Sequence, residues 1–407
     1  MLTVLALTAA MALADGDTVS LTLLAKGGMA KIGYYAPQRA TFGADKPEAI
    51  TKMPADLLSP QYGSLPMAGG VAFILDEPDG KPARLFVDTN RNGDLTDDAP
   101  TEWTSKENKR GDTTTVMHMG SASVNIGSDA SPAVVAISLY RFDKNDPGRE
   151  QLKSTILYYR DYVYEGKLTL GGKSYTAMLS DELCRGSFSP VTGEGQSGVN
   201  LMLDVNGNGT IDSRGESFDV TAPFNIGGTT YELADIAKDG SSFKVMKSSK
   251  TVDEIPTPPD HATGKVITAF EAKDTEGKAV KFPGDYTGKV VLLDFWATWC
   301  GPCMSEMPHV VKAYEKHHAN GFEILGVSLD NEQSVSRMPE VMTKAKMNWK
   351  QIADGKGWKA EIAQKYVISS IPATFLVDGT TGKIIGTNLR GDALEAAVAK
   401  ALGEQKK

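Results

Sequence analysis

Two of the three cysteines in this chain of 407 residues lie three positions apart, in the stretch VLLDFWATWCGPC at 291–303. They are Cys300 and Cys303, and only Gly301 and Pro302 separate them. A cysteine pair at this spacing can be a structural disulfide, half of a metal site, or a redox pair that alternates between dithiol and disulfide. The rest of the sequence decides which of these is favoured.

The metal and structural alternatives find little support. A zinc site needs four ligands, usually including a second close pair of Cys or His. The chain offers only Cys184 and the adjacent His317 and His318, which are too close together to act as a matched pair. A disulfide that encloses only two residues restrains the unfolded chain least, because this stabilisation grows with loop length.

The redox alternative is favoured by the elements that should position the pair. The run KVVLLDFWA at 289–297 predicts a buried strand. After Cys303, apolar side chains recur at helical spacing at Met307, Val310, Val311 and Tyr314. Cys300 should therefore lie at the start of a helix, where free N–H groups and the helix dipole stabilise a thiolate. Cys303 should lie one turn later, within reach of a disulfide.

The elements around the pair alternate between strand and helix. Further strands are predicted at 322–330, 373–378 and 383–391, and further helices at 358–366 and 392–402. The order β-α-β-α-β-β-α is typical of an α/β domain, in which helices cover a central sheet.

Residues 264–407 resemble the extracytoplasmic TlpA/ResA-like thiol–disulfide oxidoreductases of the thioredoxin superfamily. The matching landmarks are DFWATWCGPC, GFEILGVSLD, DGKGWKAEIAQKYVISSIPATFLVD and GKIIGTNLRG. The resemblance implies a thioredoxin fold, a redox-active disulfide with Cys300 as the attacking thiolate and Cys303 as the resolving thiol, and catalysis that requires no cofactor. It also implies a cis peptide bond between Ile371 and Pro372, and a place for both residues in substrate binding.

Other side chains near the pair have both a catalytic and an ordinary interpretation. Asp294 matches the buried aspartate of thioredoxin, and Glu306 matches an active-site glutamate of the resembled subfamily. Either could accept the proton of Cys303, although Glu306 could also be an ordinary acid in the first turn of a helix. Trp299 could form an apolar rim that contacts substrate, whereas Trp296 is expected in the core.

The N-terminal part is predicted to be mostly β. Short strand-like runs between 15 and 248 are separated by Gly, Asn and Asp, which are typical turn residues. A repeated pattern predicts two related β modules, 15–148 and 149–248. The proline-containing segment 249–263 is then a linker to the thioredoxin-like domain at 264–407.

The repeated pattern in the N-terminal part is D-x-N-x-N-G-x-[LI], the first eight positions of an EF-hand calcium loop. It predicts tentative calcium ligands in two loops; these are Asp88, Asn90, Asn92, Asp94, Asp204, Asn206, Asn208, Thr210 and Asp212. Both loops lack the bidentate glutamate at position twelve, which is Ala99 in one and Gly215 in the other. Hairpin turns rich in Asn, Asp and Gly are the alternative.

The first residues predict export. Residues 1–14 form an apolar run that ends in Ala-Leu-Ala, which is typical of a cleaved signal peptide, although no Lys or Arg precedes it. We therefore expect an extracytoplasmic protein, either periplasmic or secreted. The net charge of −8 argues against a nucleic-acid-binding protein.

The sequence therefore predicts an exported thiol–disulfide oxidoreductase, most simply a reductase of protein disulfides, recharged by an electron donor in the membrane. Two alternatives stay open. One is a thiol peroxidase, although the P-x-x-x-T-x-x-C approach of that class is absent before Cys300. The other is a calcium-stabilised surface-binding protein, in which the thioredoxin-like domain is only an accessory.

Overall fold

The computed structural model describes residues 16–110, 113–128, 130–191 and 197–405. The predicted signal peptide at 1–14 lies outside these residues. The chain divides into two compact units, of which unit 1 ends at Pro256 and unit 2 begins at Thr257. This division falls inside the predicted linker. None of the helices in the described ranges combines the length and the apolar composition that crossing a bilayer requires.

Unit 1 is built almost entirely of strands, with one short helix, α1, at Gly28–Ile32. Its strands in chain order are β1 Asp17–Ser20, β2 Thr22–Leu24, β3 Gln38–Gly43, β4 Pro60–Leu65, β5 Val71–Asp76, β6 Arg84–Val87, β7 Thr104–Arg110, β8 Thr113–Asn125, β9 Val134–Phe142, β10 Thr155–Arg160, β11 Val163–Leu170, β12 Lys173–Asp181, β13 Val199–Leu203, β14 Ser217–Asp219, β15 Phe224–Ile226, β16 Thr229–Ala234 and β17 Ser242–Lys247. The mostly-β prediction for this part is confirmed.

The strands of unit 1 form three sheets, with orders β1-β17-β16-β15, β6-β5-β4-β3-β10-β9-β8-β7 and β14-β13-β12-β11-β2. These sheets do not follow the predicted modules 15–148 and 149–248, because β10 pairs with β3 and β11 pairs with β2. One apolar core draws side chains from all three sheets. The two-module division is therefore corrected to one unit. An alternating pattern shows which face of a strand is buried but not which distant strand it pairs with.

Unit 2 contains the four longer helices α2 Gly301–His317, α3 Met338–Lys344, α4 Glu361–Lys365 and α5 Gly391–Gln405. Its strands are β18 Phe270–Lys273, β19 Ala279–Phe282, β20 Val290–Trp296, β21 Phe322–Ser328, β22 Lys350–Ala353, β23 Ala373–Asp378 and β24 Ile384–Thr387. The strands predicted at 289–297, 322–330, 373–378 and 383–391 are all present. The hairpin β18–β19, the edge strand β22 and the helix α3 are additions.

The central sheet of unit 2 has the order β22-β21-β20-β23-β24. Strand β20 pairs in parallel with β21 and antiparallel with β23, so it lies at the middle of the sheet. Every residue of β20 is buried, as expected for a β-branched and aliphatic strand that is covered on both faces. Helices α2 and α5 pack against each other, and ion pairs from Lys312 and Lys316 to Glu395 join their exposed sides. The α/β prediction for this unit is confirmed.

Candidate active site

Strand β20 and helix α2 bring the cysteine pair to one end of the central sheet of unit 2. Cys300 is the N-cap residue of α2, and its Sγ accepts a hydrogen bond from the backbone N–H of Cys303 at 3.1 Å. Pro302 lies in the first helical turn, where a missing N–H costs nothing. The structure therefore places Cys300 at the helix start that the sequence predicts. Free N–H groups at this position can stabilise a Cys300 thiolate when the pair is reduced.

A disulfide joins Cys300 to Cys303, with Cα atoms 5.3 Å apart. Both residues are buried, at 4% and 2% exposure. The Cys300 Sγ lies 3.7 Å from the carbonyl oxygen of Ile371, and the Ile371–Pro372 peptide bond is cis, as the resemblance implies. Ile371 and Pro372, seventy residues away in the sequence, thus lie directly beside the sulfur that the resemblance assigns as the nucleophile.

The loop that leads from β20 to Cys300 is held by Asp330. The carboxylate of this fully buried residue accepts hydrogen bonds from the backbone N–H and the hydroxyl of Thr298, at 3.0 and 2.5 Å. The Ser328 hydroxyl donates a further hydrogen bond at 2.7 Å. Burial opposes ionisation, but these hydrogen bonds outweigh it and hold the pKa of Asp330 below its usual value. A buried carboxylate therefore anchors the approach to the cysteine pair.

Arg390 ties the loop around the cis peptide to the neighbouring carboxylates. Its guanidinium donates hydrogen bonds to the carbonyl oxygen of Pro372 and, at 3.1 Å, to the hydroxyl of Thr374. Thr374 pairs with Asp294 across strands β23 and β20. Arg390 also interacts electrostatically with both Asp294 and Glu306. A single cation therefore links the substrate-binding loop to the two candidate bases.

The two candidate bases, Asp294 and Glu306, have different surroundings. Asp294 is 3% exposed, and burial raises its pKa to about 7, with Arg390 lowering it and Glu306 adding to the rise. Glu306 is partly exposed, and its Oε1 accepts a hydrogen bond from the backbone N–H of Gly391 at 2.5 Å. Gly391 is the first residue of α5, so Glu306 satisfies an N–H group at the start of that helix. Only Asp294 is both fully buried and poised to exchange a proton near neutral pH.

Two tryptophans lie at the rim of the cysteine pair, and a third lies beneath it. Trp299 is 44% exposed, and its ring centre is 6.0 Å from that of Trp358, which is 41% exposed. Trp296 is completely buried and donates a hydrogen bond to Gln351 at 2.9 Å, as expected for a core residue. The exposed surface beside Cys300 is therefore aromatic.

The Asp/Asn/Gly loops of unit 1 form hydrogen-bonded turns. Asp88 accepts from the N–H groups of Asn92 and Gly93, and Asp204 accepts from that of Gly209. The remaining predicted ligands Asn90, Asn92, Asp94, Asn206, Asn208, Thr210 and Asp212 lie in the same turns. Within the described ranges, no group of three or more His, Cys, Asp or Glu side chains is arranged to hold a metal ion. The EF-hand-like description is not supported, and calcium stays a prediction from the sequence pattern.

A buried acid closes each of these loops instead of a metal. Glu216 is fully buried and accepts hydrogen bonds from the N–H groups of Val205, Asn206 and Asp212, at 2.7, 2.9 and 2.9 Å. In the first loop, Asp98 accepts a hydrogen bond from the N–H of Thr89 at 3.2 Å. Cys184, the third cysteine, is a buried free thiol in the same unit, in keeping with its expected role as a small core residue.

Three residues of the site were not identified from the sequence: Asp330, Trp358 and Arg390. Asp330 ends the landmark GFEILGVSLD, so its place at the end of a strand beside the cysteine loop was a usable signal. Arg390 lies in the landmark GKIIGTNLRG, but nothing in that segment indicates contact with Pro372. Trp358 lies in a segment that was interpreted only as a helix.

Comparison with known proteins assigns unit 2 and leaves unit 1 without a counterpart. A model of the AhpC/TSA family matches residues 263–385. The thiol-disulfide oxidoreductase ResA of Bacillus thuringiensis is 34% identical over 122 residues, which are 30% of this chain and 66% of that protein. The ResA protein of Geobacillus thermodenitrificans is 33% identical over 135 residues, 32% of this chain and 74% of that protein.

Among solved structures, the thioredoxin domain of a thiol-disulfide oxidoreductase from Bacteroides vulgatus is similar, with 34% identity and a TM-score of 0.32. The match covers 35% of this chain and 98% of that domain. In the curated comparison, the chain spans 66% of the Bacillus relative's length. With a disulfide at a helix start, a neighbouring cis-proline and a ResA relative aligned over 74% of its length, the chain belongs, through unit 2, to the ResA-like thiol–disulfide oxidoreductases.

Proposed function

We propose that the protein is an exported thiol–disulfide oxidoreductase that reduces protein disulfides through Cys300 and Cys303. The observation that carries this proposal is the disulfide at the start of α2, with Cys300 Sγ 3.7 Å from the carbonyl oxygen of Ile371 beside the cis-proline. Gly301 and Pro302 between the cysteines are the pair found in thioredoxin, which favours use as a reductase. The names of the curated relatives support the reaction class.

The reaction consists of two thiol–disulfide exchanges. The Cys300 thiolate attacks one sulfur of the substrate disulfide, so that a mixed disulfide forms and the other substrate sulfur leaves as a thiolate. The Cys303 thiol then loses its proton and attacks Cys300 Sγ, which forms the Cys300–Cys303 disulfide and releases the second substrate thiolate. The substrate gains two electrons and the cysteine pair loses two.

We assign Asp294 as the base that receives the Cys303 proton. Its burial and its pKa of about 7 suit a proton acceptor near neutral pH. Glu306 is engaged at the start of α5, so its proposed role is to position that helix and to influence Asp294. Trp299, Ile371 and Pro372 form the proposed contact surface for substrate.

After each turnover, the oxidised pair must be reduced again by a dithiol donor. In an oxidising compartment, no soluble thiol pool performs this step reliably. We therefore propose a membrane-bound electron donor as partner. The extracytoplasmic location rests on the signal-like segment at 1–14, and a mature protein that begins at Asp15 outside the cytoplasm is its test.

The roles of the two cysteines are tested with Cys300→Ser and Cys303→Ser. Cys300→Ser should abolish exchange, because no nucleophile remains at the helix start. Cys303→Ser should still attack and should accumulate a mixed disulfide that dithiothreitol releases. The measurement is gel detection of adducts with a protein disulfide, together with the alkylation rate of each reduced thiol. Adducts formed by Cys300→Ser but not by Cys303→Ser would reverse the assignment.

The same variants separate the reductase from a thiol peroxidase. Thr298 Oγ donates its hydrogen bond to Asp330, away from the role that a threonine two positions before a peroxidatic cysteine would need. We expect no rapid peroxide consumption by the wild-type protein or by Cys303→Ser. Stoichiometric peroxide reduction by Cys303→Ser, without exchange on protein disulfides, would favour the peroxidase.

A further inference from the structure

An exposed aromatic pair adjoins the cysteine pair. Among the described residues of unit 2, three large apolar side chains are strongly exposed: Val266 at 68%, Trp299 at 44% and Trp358 at 41%. The two tryptophans contact each other, with ring centres 6.0 Å apart and planes inclined by 53°. Two large aromatic rings left in solvent at one place are typical of an interaction surface, because burying them is strongly favourable.

One buried residue fixes both tryptophans. The carboxylate of Asp330 holds Thr298, the residue before Trp299, through two hydrogen bonds. The backbone carbonyl oxygen of Asp330 accepts from the N–H of Gly357, the residue before Trp358, at 3.2 Å. The two rings come from segments about sixty residues apart, yet their spacing is set through a single anchor. This arrangement makes the pair a built feature of the site.

The surface also lies where a substrate chain must pass. Trp299 is joined directly to Cys300, whose sulfur is 4% exposed as a residue and can be reached only from its rim. A polypeptide bonded to that sulfur in the mixed disulfide must place its neighbouring side chains against the rim. The aromatic pair is therefore continuous with the reacting atom.

We propose that Trp299 and Trp358 bind an apolar side chain that is adjacent to the reacting cysteine of the substrate polypeptide, so that Trp358 is a specificity-determining residue. This inference rests on the proposed function and names the substrate class for it. Substrates with an aromatic or aliphatic residue beside the cysteine are preferred over those with glycine there. Small disulfides that lack such a side chain gain nothing from Trp358.

The test measures the steady-state reduction of three disulfides by the full-length protein. The disulfides are a peptide with phenylalanine beside its cysteine, the matched peptide with glycine there, and hydroxyethyl disulfide. The variants are Trp358→Ala, the conservative Trp358→Phe, and Val266→Ala as a control that removes an exposed apolar side chain elsewhere in unit 2. Dithiothreitol at a fixed concentration supplies electrons.

We expect Trp358→Ala to raise the KM for the phenylalanine peptide about tenfold while kcat stays near the wild-type value. Its preference for phenylalanine over glycine should fall towards one, and its rate on hydroxyethyl disulfide should be unchanged. Trp358→Phe should stay within about threefold of wild type, because it retains an aromatic face. Val266→Ala should match wild type on all three substrates.

Two results would overturn the inference while leaving the proposed function intact. One is an unchanged KM and preference in Trp358→Ala. The other is an equal loss on all three disulfides, which would show that Trp358 only supports the loop around Cys300. A wild-type protein that reduces none of the three disulfides would instead overturn the proposed function, and the inference with it.

Discussion

At the scale of single residues, the chemistry depends on how the protein charges a small group around Cys303. Asp294 is buried in the middle strand of the sheet, and Arg390 and Glu306 act on it with opposite signs. Such an acid is costly to keep in a protein core, because its charged form loses its hydration. Its position beside the redox pair gives that cost a functional reason, as perturbed acids commonly cluster at functional sites.

Replacing Asp294 with asparagine should slow the resolving step and remove its pH dependence. In the wild type, the rate at which Cys303 resolves the mixed disulfide should rise as pH increases through about 7, because Asp294 accepts a proton only when ionised. Asp294→Asn should lose this inflection and fall by about a hundredfold, whereas attack by Cys300 should be little changed. Quenched-flow measurement of the mixed disulfide checks both steps. If Glu306→Gln removes the inflection instead, Glu306 is the base.

The same variant should change stability in a pH-dependent manner. The pKa of Asp294 is raised from about 3.9 in the unfolded chain to about 7 in the folded protein. Folding therefore binds a proton, and its stabilising contribution is complete below about pH 4 and is lost as pH rises through about 7. Relative to wild type, Asp294→Asn should gain about 1–4 kcal/mol between pH 4 and pH 8. Urea unfolding at the two pH values provides the measurement, and equal differences at both would contradict it.

Removing the charge of Arg390 should move the pH inflection of the resolving step upward. Arg390 lowers the pKa of Asp294, so Arg390→Met should make Asp294 ionise at a higher pH than in the wild type. Arg390→Lys retains a positive charge and should shift the inflection less. Both variants lose the guanidinium hydrogen bonds to Pro372 and Thr374, so a comparison between them separates charge from structure. The same inflection in all three proteins would exclude an electrostatic role for Arg390.

At the scale of elements, turns and helix ends place side chains that no single element could bring together. Helix α2 supplies the cysteines, the loop before β23 supplies the cis-proline, and the turn before α4 supplies Trp358. In unit 1, the two Asp/Asn/Gly turns show a different solution to the same problem. Each is closed by a buried carboxylate that accepts backbone N–H groups, as Asp98 and Glu216 do.

Removing the Glu216 carboxylate should destabilise unit 1. Three backbone N–H groups would lose their acceptor, so Glu216→Ala should reduce the free energy of unfolding by about 2–4 kcal/mol. Glu216→Gln keeps one acceptor oxygen and should lose less. Urea unfolding followed by circular dichroism measures the effect, with the exposed Glu102→Ala as the matched control. Equal stability of Glu216→Ala and the control would show that the turn holds itself.

The calcium prediction belongs to the same turns and has its own measurement. If the sequence pattern is a calcium loop, calcium at about millimolar concentration should raise the melting temperature, because it would bind the folded turn and not the unfolded chain. Asp204→Ala should then remove much of the rise, whereas it should not alter the melt in the presence of a chelator by the same amount. An unchanged wild-type melt would leave the loops as turns alone.

At the scale of the whole molecule, the chain is two units with separate cores. The core of unit 2 runs from Ile267 to Leu402, and the main core of unit 1 runs from Val19 to Val245, with no residue in common. Every residue assigned to the redox chemistry lies in unit 2. Unit 1 contributes no residue to that chemistry among those described, so its role is the selection of a partner or a location.

A fragment of residues 257–407 should therefore fold and retain the chemistry. Its single-turnover rate on hydroxyethyl disulfide should stay within about threefold of the full-length value, because the core and the site are complete within unit 2. Binding to a natural partner should instead require residues 15–256. Partner binding by that N-terminal fragment alone, with no reductase activity in the full-length protein, would favour the surface-binding alternative.

The sequence alone determined the local features of this protein. The buried strand before Cys300, the helix after it and the spacing of the two cysteines are encoded in contiguous residues, so hydrophobic periodicity and helix-start chemistry were enough to predict them. The resemblance added Pro372, Asp294 and Glu306 as site residues. The mostly-β character of unit 1 was also readable, because Gly, Asn and Asp mark its turns.

Only the tertiary structure decided which distant residues meet. The pairing of β3 with β10 merged two expected modules into one unit, since side-chain alternation carries no information about the partner strand. The same limit applies at the site, where Asp330 anchors Trp358 and Arg390 reaches Pro372 across gaps that no sequence period spans. Whether Asp294 or Glu306 is poised near neutral pH depends on desolvation and on neighbouring charges, which exist only after the chain has folded.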